Sequence, residues 1–249
     1  PIPFHAEQTI KALDAGKHVL CEVTAADNLK DCERMVEAVR RAKGKFMLAE
    51  NCNYMQFVID WDNYIKAGKI GTPLYAEADY VHEIRQLVDG KWRANRAPLH
   101  YCSHSLGPVL KWMDDYVVRC TASGNRSTMM EPATDGNIDF QVALFETSKG
   151  ATIKLLRSSV ALRHPQLCSY NIIGTEGFLE SSRTRYEGVG RRYFSSTDPV
   201  DGYAITVNKD DMDAPKEYRV GGHGTCEYYL VKDFLDCIKN DTTPPIDIV

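Results

Sequence analysis

Apolar residues along this chain fall first at helical spacing and then at strand spacing. Residues 6–16 predict a helix with Ile10 and Leu13 on one face, and Gly16 stands where a C-terminal cap is expected. A short strand follows at 17–22. A second helix at 28–43 is marked by Cys32, Met35, Val36 and Val39, and Gly44 leads into an apolar strand at 45–49. Helix, strand, helix, strand is the rhythm of a parallel α/β sheet. A third helix at 55–67 stops at Gly68, and Gly71-Thr72-Pro73 marks a turn. The period then changes to two, with strands predicted at 74–81, 117–123, 138–146, 151–159, 169–174 and 177–181. Short turns between them imply a largely antiparallel sheet half covered by helices. Residues 182–216 read as long loops or a hairpin excursion, and 228–238 as an amphipathic helix.

The boundaries that follow are an α/β portion at 1–50 and an α+β domain at 51–249. The chain has 249 residues, 43% hydrophobic and 26% charged, enough to bury a sizeable core. Its net charge of −4 and scattered basic residues give no electrostatic footprint for nucleic acid or an anionic membrane. No apolar run approaches the roughly 20 residues of a membrane helix, and the N-terminus does not read as an export signal. Eight cysteines without a C-x-x-C pair read as reduced thiols, and hence as a cytoplasmic protein.

Several segments resemble a known family. His5-Ala6-Glu7-Gln8 through Gly16-Lys17-His18-Val19-Leu20-Cys21-Glu22 is similar to the latter half of the dinucleotide domain of Gfo/Idh/MocA oxidoreductases. Ala49-Glu50-Asn51-Cys52-Asn53-Tyr54, Gly90-Lys91-Trp92-Arg93, Tyr101-Cys102-Ser103-His104-Ser105-Leu106-Gly107-Pro108 and Gly221-Gly222-His223-Gly224 resemble the branch that includes NAD-dependent α-N-acetylgalactosaminidases. The fold this implies is a partial Rossmann (doubly wound parallel) dinucleotide domain, followed by an α+β domain with a large, mostly antiparallel, open-faced sheet. It further implies NAD or NADP as cofactor, a small-molecule carbohydrate as substrate, and a homodimer or homotetramer built on the open sheet face.

Two departures from the family pattern shape the expectations. The Gly-x-Gly-x-x-Gly loop that cradles the pyrophosphate occurs nowhere, so the sequence is expected to begin downstream of it. The family's dehydrogenases carry a lysine after the glutamate, whereas here Glu22 is followed by Val23, and valine cannot move a proton. Proton transfer therefore falls to Tyr101 and His104, whose side chains can shuttle protons when burial and neighbours tune them. The resemblance adds Tyr54 to the catalytic candidates, Glu22 as the ribose contact, and Trp92 and Arg93 near the nicotinamide.

His82 and Arg85, just past a strand, and His223, among glycines, are candidates for binding sugar hydroxyls. No metal is expected: His82-Glu83-Ile84-Arg85-Gln86 lacks the second histidine of H-E-x-x-H, and Pro98 and Gly107 argue against one continuous helix through His100 and His104. The expected activity is oxidation of a ring hydroxyl by hydride transfer. The alternatives are a redox-neutral, NAD-dependent glycoside hydrolase and a non-catalytic ligand-binding protein.

Overall fold

The computed structural model describes residues 1–88, 96–126, 138–184 and 187–248. They form two compact units, Pro1–Met55 with Lys209–Val249, and Gln56–Asn208. This differs from the sequence boundaries, which assigned everything after residue 50 to the second domain. The C-terminal segment returns to the first unit because its backbone and charges find partners there. Leu48 N–H donates to the Ile246 carbonyl at 3.0 Å, and Lys45 pairs with Asp241 at 2.7 Å. No local sequence pattern reports such a long-range contact.

The first unit contains α1 (Ile2–Asp14), β1 (Val19–Cys21), α2 (Leu29–Arg41), β2 (Phe46–Leu48), a 3-10 turn (Asn51–Tyr54) and, from the end of the chain, α6 (Thr225–Asn240). Helix α1 begins four residues before the predicted start, because a proline early in a helix forfeits only an N–H that has no intrahelical partner. It buries Ile2, Ala6, Thr9 and Leu13. Helix α2 opens on Asn28, whose side chain accepts from Asp31 N–H at 2.9 Å, and it buries Met35 and Ala38. Strands β1 and β2 are parallel, with Val19 opposite Phe46. Ala6, Cys21, Ala26, Met35 and Phe46 form the core between helices and strands.

The second unit runs α3 (Gln56–Lys66), β3 (Pro73–Val81), a single turn α4 (Arg85–Val88), a 3-10 turn (Pro98–Tyr101), α5 (Ser103–Met113), β4 (Val117–Arg126), β5 (Ile138–Thr147), β6 (Thr152–Ser158), β7 (Leu167–Gly174), β8 (Gly177–Ser181), β9 (Val189–Phe194) and β10 (Tyr203–Thr206). The strands make one eight-stranded sheet in the order β10-β9-β8-β7-β3-β6-β5-β4. Every pairing is antiparallel except β3 with β6. The predicted loop excursion contains the β9–β10 hairpin. Its alternation is faint because β10 is largely exposed.

The period of two divides the sheet into unlike faces. Ala76, Ala78, Ile153, Leu155, Tyr170 and Ile172 point to the covered face and are buried. Against them lies an aromatic cluster from α3 and α5. Trp61 and Trp112 have ring centroids 5.0 Å apart, Phe57 and Tyr170 are 5.6 Å apart, and Trp112 Nε1 donates to the Val58 carbonyl at 2.9 Å. Gly174 lets the end of β7 pass close to the turn before β3, since a Cβ there would meet the Ile70 carbonyl oxygen at 2.2 Å.

The other face is open. Val142, Leu144 and Ile173 are exposed on it around a polar centre, where Lys154 pairs with Glu77 at 2.8 Å and Tyr75 donates to Glu77 at 3.2 Å. Asp79, on the same face of β3, is 7% exposed, and its Oδ1 has no hydrogen-bond partner among the described residues. Among the described residues no helix is long and apolar enough to cross a membrane, and no disulfide joins the cysteines.

Burial raises the Asp79 carboxyl above its ordinary pKa, with Lys154 opposing the shift and Glu77 adding to it. A folded state that holds this proton more tightly than the unfolded chain loses stability as pH rises through the folded value. Asp79→Asn removes that loss. Its urea midpoint is expected above the wild type near neutral pH, with the difference vanishing in acid below the carboxyl titration.

Candidate active site

Five side chains of the second unit converge at the end of the covered face. Two sit where the 3-10 turn hands over to α5: Tyr101 ends the turn, Cys102 intervenes, and His104 lies in the first turn of α5. The Tyr101 hydroxyl and His104 Nε2 are 3.0 Å apart, with the rings edge to face at 4.9 Å. Sequence reading doubted a continuous helix here, and the structure breaks it at Cys102. Gly107 and Pro108 nevertheless lie inside α5. Proline at 108 has no N–H to donate to the carbonyl of residue 104. That carbonyl accepts instead from the Tyr170 hydroxyl at 2.6 Å, which fastens the first turn of α5 to β7.

The other three come from the sheet and its edge. Tyr80 and Arg157 are register partners on β3 and β6, and His82 follows β3. The Arg157 guanidinium lies 4.6 Å from the Tyr80 ring centroid and 5.7 Å from that of Tyr101. Tyr80 in turn contacts His82 at 4.5 Å and His104 at 6.2 Å between ring centroids. Arg157 is 2% exposed. Its Nε donates to the Tyr101 carbonyl at 3.1 Å, and its Nη1 donates to the carbonyls of Tyr80 at 3.2 Å and Ser158 at 2.5 Å. Burial lowers its pKa, opposed by Tyr80, Tyr101, Cys102 and Cys168, yet a guanidinium stays charged at any physiological pH.

The other expected residues fall in separate places. Arg85 is engaged by Glu83, its Nε lying 2.9 and 3.0 Å from the two carboxylate oxygens. In the first unit, Glu22 is exposed just beyond β1. His223 is also exposed, with its Nδ1 2.5 Å from Glu227 and its carbonyl accepting from Lys209 at 2.7 Å. Tyr54 is buried under α6, and burial, then Asp233, raises its phenol far above the ordinary value. Trp92 and Arg93 lie outside the described residues.

Residues 1–50 match a family described as an oxidoreductase family with an NAD-binding Rossmann fold, Gfo/Idh/MocA. They are a Gfo/Idh/MocA family domain. Over its whole length the chain is similar to proteins named glycosyl hydrolase family 109. It is 28% identical over 278 residues to the one from Solibacter usitatus (strain Ellin6076), covering 63% of it, and 26% identical over 290 residues to the one from Shewanella baltica (strain OS185), covering 61%. The chain thus spans about three fifths of the length of these curated relatives. Among solved structures, levoglucosan dehydrogenase in complex with NADH and levoglucosan matches all of this chain and 71% of its own, with a TM-score of 0.82 at 18% identity. Aldose-aldose oxidoreductase from Caulobacter crescentus, complexed with glycerol, matches all of this chain and 70% of its own, with a TM-score of 0.78 at 22% identity. These likenesses establish the fold of both units.

In the Gfo/Idh/MocA domain the parallel strands end at Cys21 and Leu48. Ligands of open α/β sheets bind beyond the carboxyl ends of such strands, where a carboxylate meets ribose hydroxyls. Exposed Glu22 fits that need. Tyr80 and Arg157 were not anticipated from sequence. The usable signal was in β6, where Ile153, Leu155 and Arg157 share one face and an arginine takes an inward position.

Removing the hydroxyl that replaces the helical bond at residue 104 tests this construction. Tyr170→Phe is expected to lower folding stability by about 1 kcal/mol, read from the denaturant midpoint, because the carbonyl loses its hydroxyl donor without a change in packing.

Proposed function

We propose that this chain belongs to an NAD(P)-dependent oxidoreductase that oxidises a ring hydroxyl of a sugar, with Tyr101 and His104 as the proton pair. The observation that carries this reading is the 3.0 Å hydrogen bond between them, set at the start of a helix and walled by Tyr80, His82 and Arg157. When bound, the nicotinamide supplies the redox chemistry by accepting hydride from the carbon that bears the hydroxyl. The hydroxyl proton passes into the Tyr101–His104 pair, within which it can move along an existing hydrogen bond. Glu22 would hold a ribose of NAD or NADP, and the resemblance assigns Trp92 and Arg93, which lie outside the described residues, to the nicotinamide. His82, Arg85 and His223 orient sugar hydroxyls. Tyr54 is a further candidate for proton transfer, with its phenol held far above the ordinary value by burial and then by Asp233. The open sheet face, with Val142, Leu144 and Ile173 exposed, supports a homodimer or homotetramer. A cytoplasmic location accords with eight cysteines and no disulfide.

A second reading is favoured by Val23, an aliphatic residue 2% exposed beside Glu22, and by the names of the curated relatives. In it, oxidation is the first step of a redox-neutral hydrolysis. The ketone acidifies the neighbouring C–H, a base removes that proton, the glycosidic group leaves, water adds to the resulting enone, and the ketone is reduced again.

Incubation of the intact protein with NAD and a panel of aryl glycosides, following reduced nicotinamide and aryl release together, separates the readings. Accumulating reduced cofactor with intact glycoside is the expected result for the dehydrogenase. Aryl release that needs NAD without such accumulation establishes the hydrolase, and silence in both channels leaves ligand binding without turnover. In whichever channel responds, Tyr101→Phe is expected to lower kcat by about a hundredfold with little change in KM.

A further inference from the structure

Among the described residues Arg157 is the one buried cation beside the proposed proton pair, and the chemistry above makes no use of it. Among the described residues it has no carboxylate partner, and the titratable groups that face it are Tyr80 from β3, His82 beyond β3, Tyr101 and Cys102 from the 3-10 turn and its end, and Cys168 from β7. His104 of α5 reaches it through Tyr80 and Tyr101. A lone buried guanidinium among neutral groups is costly to keep, and a structural clamp alone does not require a charge.

One contact gives the charge a purpose. Arg157 Nη2 lies 3.4 Å from His82 Nε2. A guanidinium has five N–H donors and no acceptor, so the histidine nitrogen that faces it must carry a lone pair. His82 is thereby fixed as the neutral ring with its proton on Nδ1, the tautomer that is less common for an unconstrained imidazole. A second positive charge on His82 would face Arg157 across a buried contact, where repulsion is weakly screened. Meanwhile the Arg157 Nε bond holds the Tyr101 carbonyl, and the bonds to Tyr80 and Ser158 hold the fork to both central strands.

We propose that Arg157 is a positioning residue of this site: it imposes the neutral Nδ1–H form on His82 and holds the backbone of Tyr101 so that the phenol meets His104. The catalytic part of this proposal rests on the reading of Tyr101 and His104 as a proton pair. The tautomer part does not.

The test uses the intact protein labelled with 15N-histidine, with His82 identified by the signals lost in His82→Gln. In the wild type near neutral pH, two-bond proton–nitrogen spectra are expected to show the His82 Nε2 unprotonated. In Arg157→Met the Nε2–H form should take over, and the doubly protonated form should emerge at higher pH than in the wild type. Arg157→Lys keeps the charge without the fork and should hold His82 neutral while mixing its tautomers. In turnover, Arg157→Met should lower kcat by roughly tenfold or more with KM nearly constant, and Arg157→Lys should recover part of the loss. An Nε2–H tautomer in the wild type, or a His82 pattern unmoved in a folded Arg157→Met, overturns the proposal. Should Arg157→Met fail to fold by circular dichroism, the wild-type tautomer and Arg157→Lys still decide the matter. The expected spectra in a protein that turns over no sugar would uphold the placement of His82 and defeat the proton-pair reading beneath it.

Discussion

Tyr80 and Arg157 stand opposite one another in the parallel pairing of β3 with β6, and the candidate site depends on that register. A slip of one residue would send Arg157 to the open face and bring Ser158 or Leu156 inward, because side chains alternate strictly along a strand. The register is held from the apolar side. Ala78 with Leu155 and Ala76 with Ile153 are buried pairs on the same face, two and four residues back along the strands. Hydrophobic burial thus sets the position of a charge, and the charge organises the polar groups around it.

The covered face also explains why α5 can contain a glycine and a proline. Trp112 and Val109 bury the far part of the helix against α3 and the sheet, while the carbonyl that Pro108 leaves without an N–H donor is satisfied by Tyr170 from β7. The start of the helix, where His104 sits, is therefore tied to the sheet by a side-chain hydroxyl as well as by its own backbone ladder. In the proposed proton pair such fixed placement matters, since the geometry need not be assembled at the moment of reaction.

The open face has the opposite character. Its exposed aliphatic residues surround Glu77, Lys154 and Asp79, so a neutralised pair and a carboxyl that resists ionisation occupy the centre of an otherwise apolar surface. The same strands carry a buried apolar face on one side and this mixed surface on the other. The single strand β3 contributes both Tyr80 to the site and Asp79 to the open face, one residue apart.

The sequence by itself determined the order and kind of nearly every element. Helical spacing around Met35 and the alternation in 74–81 and 151–159 each reflect a local periodicity imposed by one buried face. It also singled out Tyr101 and His104, because three residues apart at the entry to a helix is a relation visible along the chain. Tertiary structure alone decided that residues 209–249 rejoin the first unit, that His82 is buried against Arg157, and that Tyr80 and Arg157, 77 positions apart, complete the cluster. Those outcomes rest on strand register and on hydrogen bonds between distant residues, and neither leaves a periodic mark in the sequence that it joins.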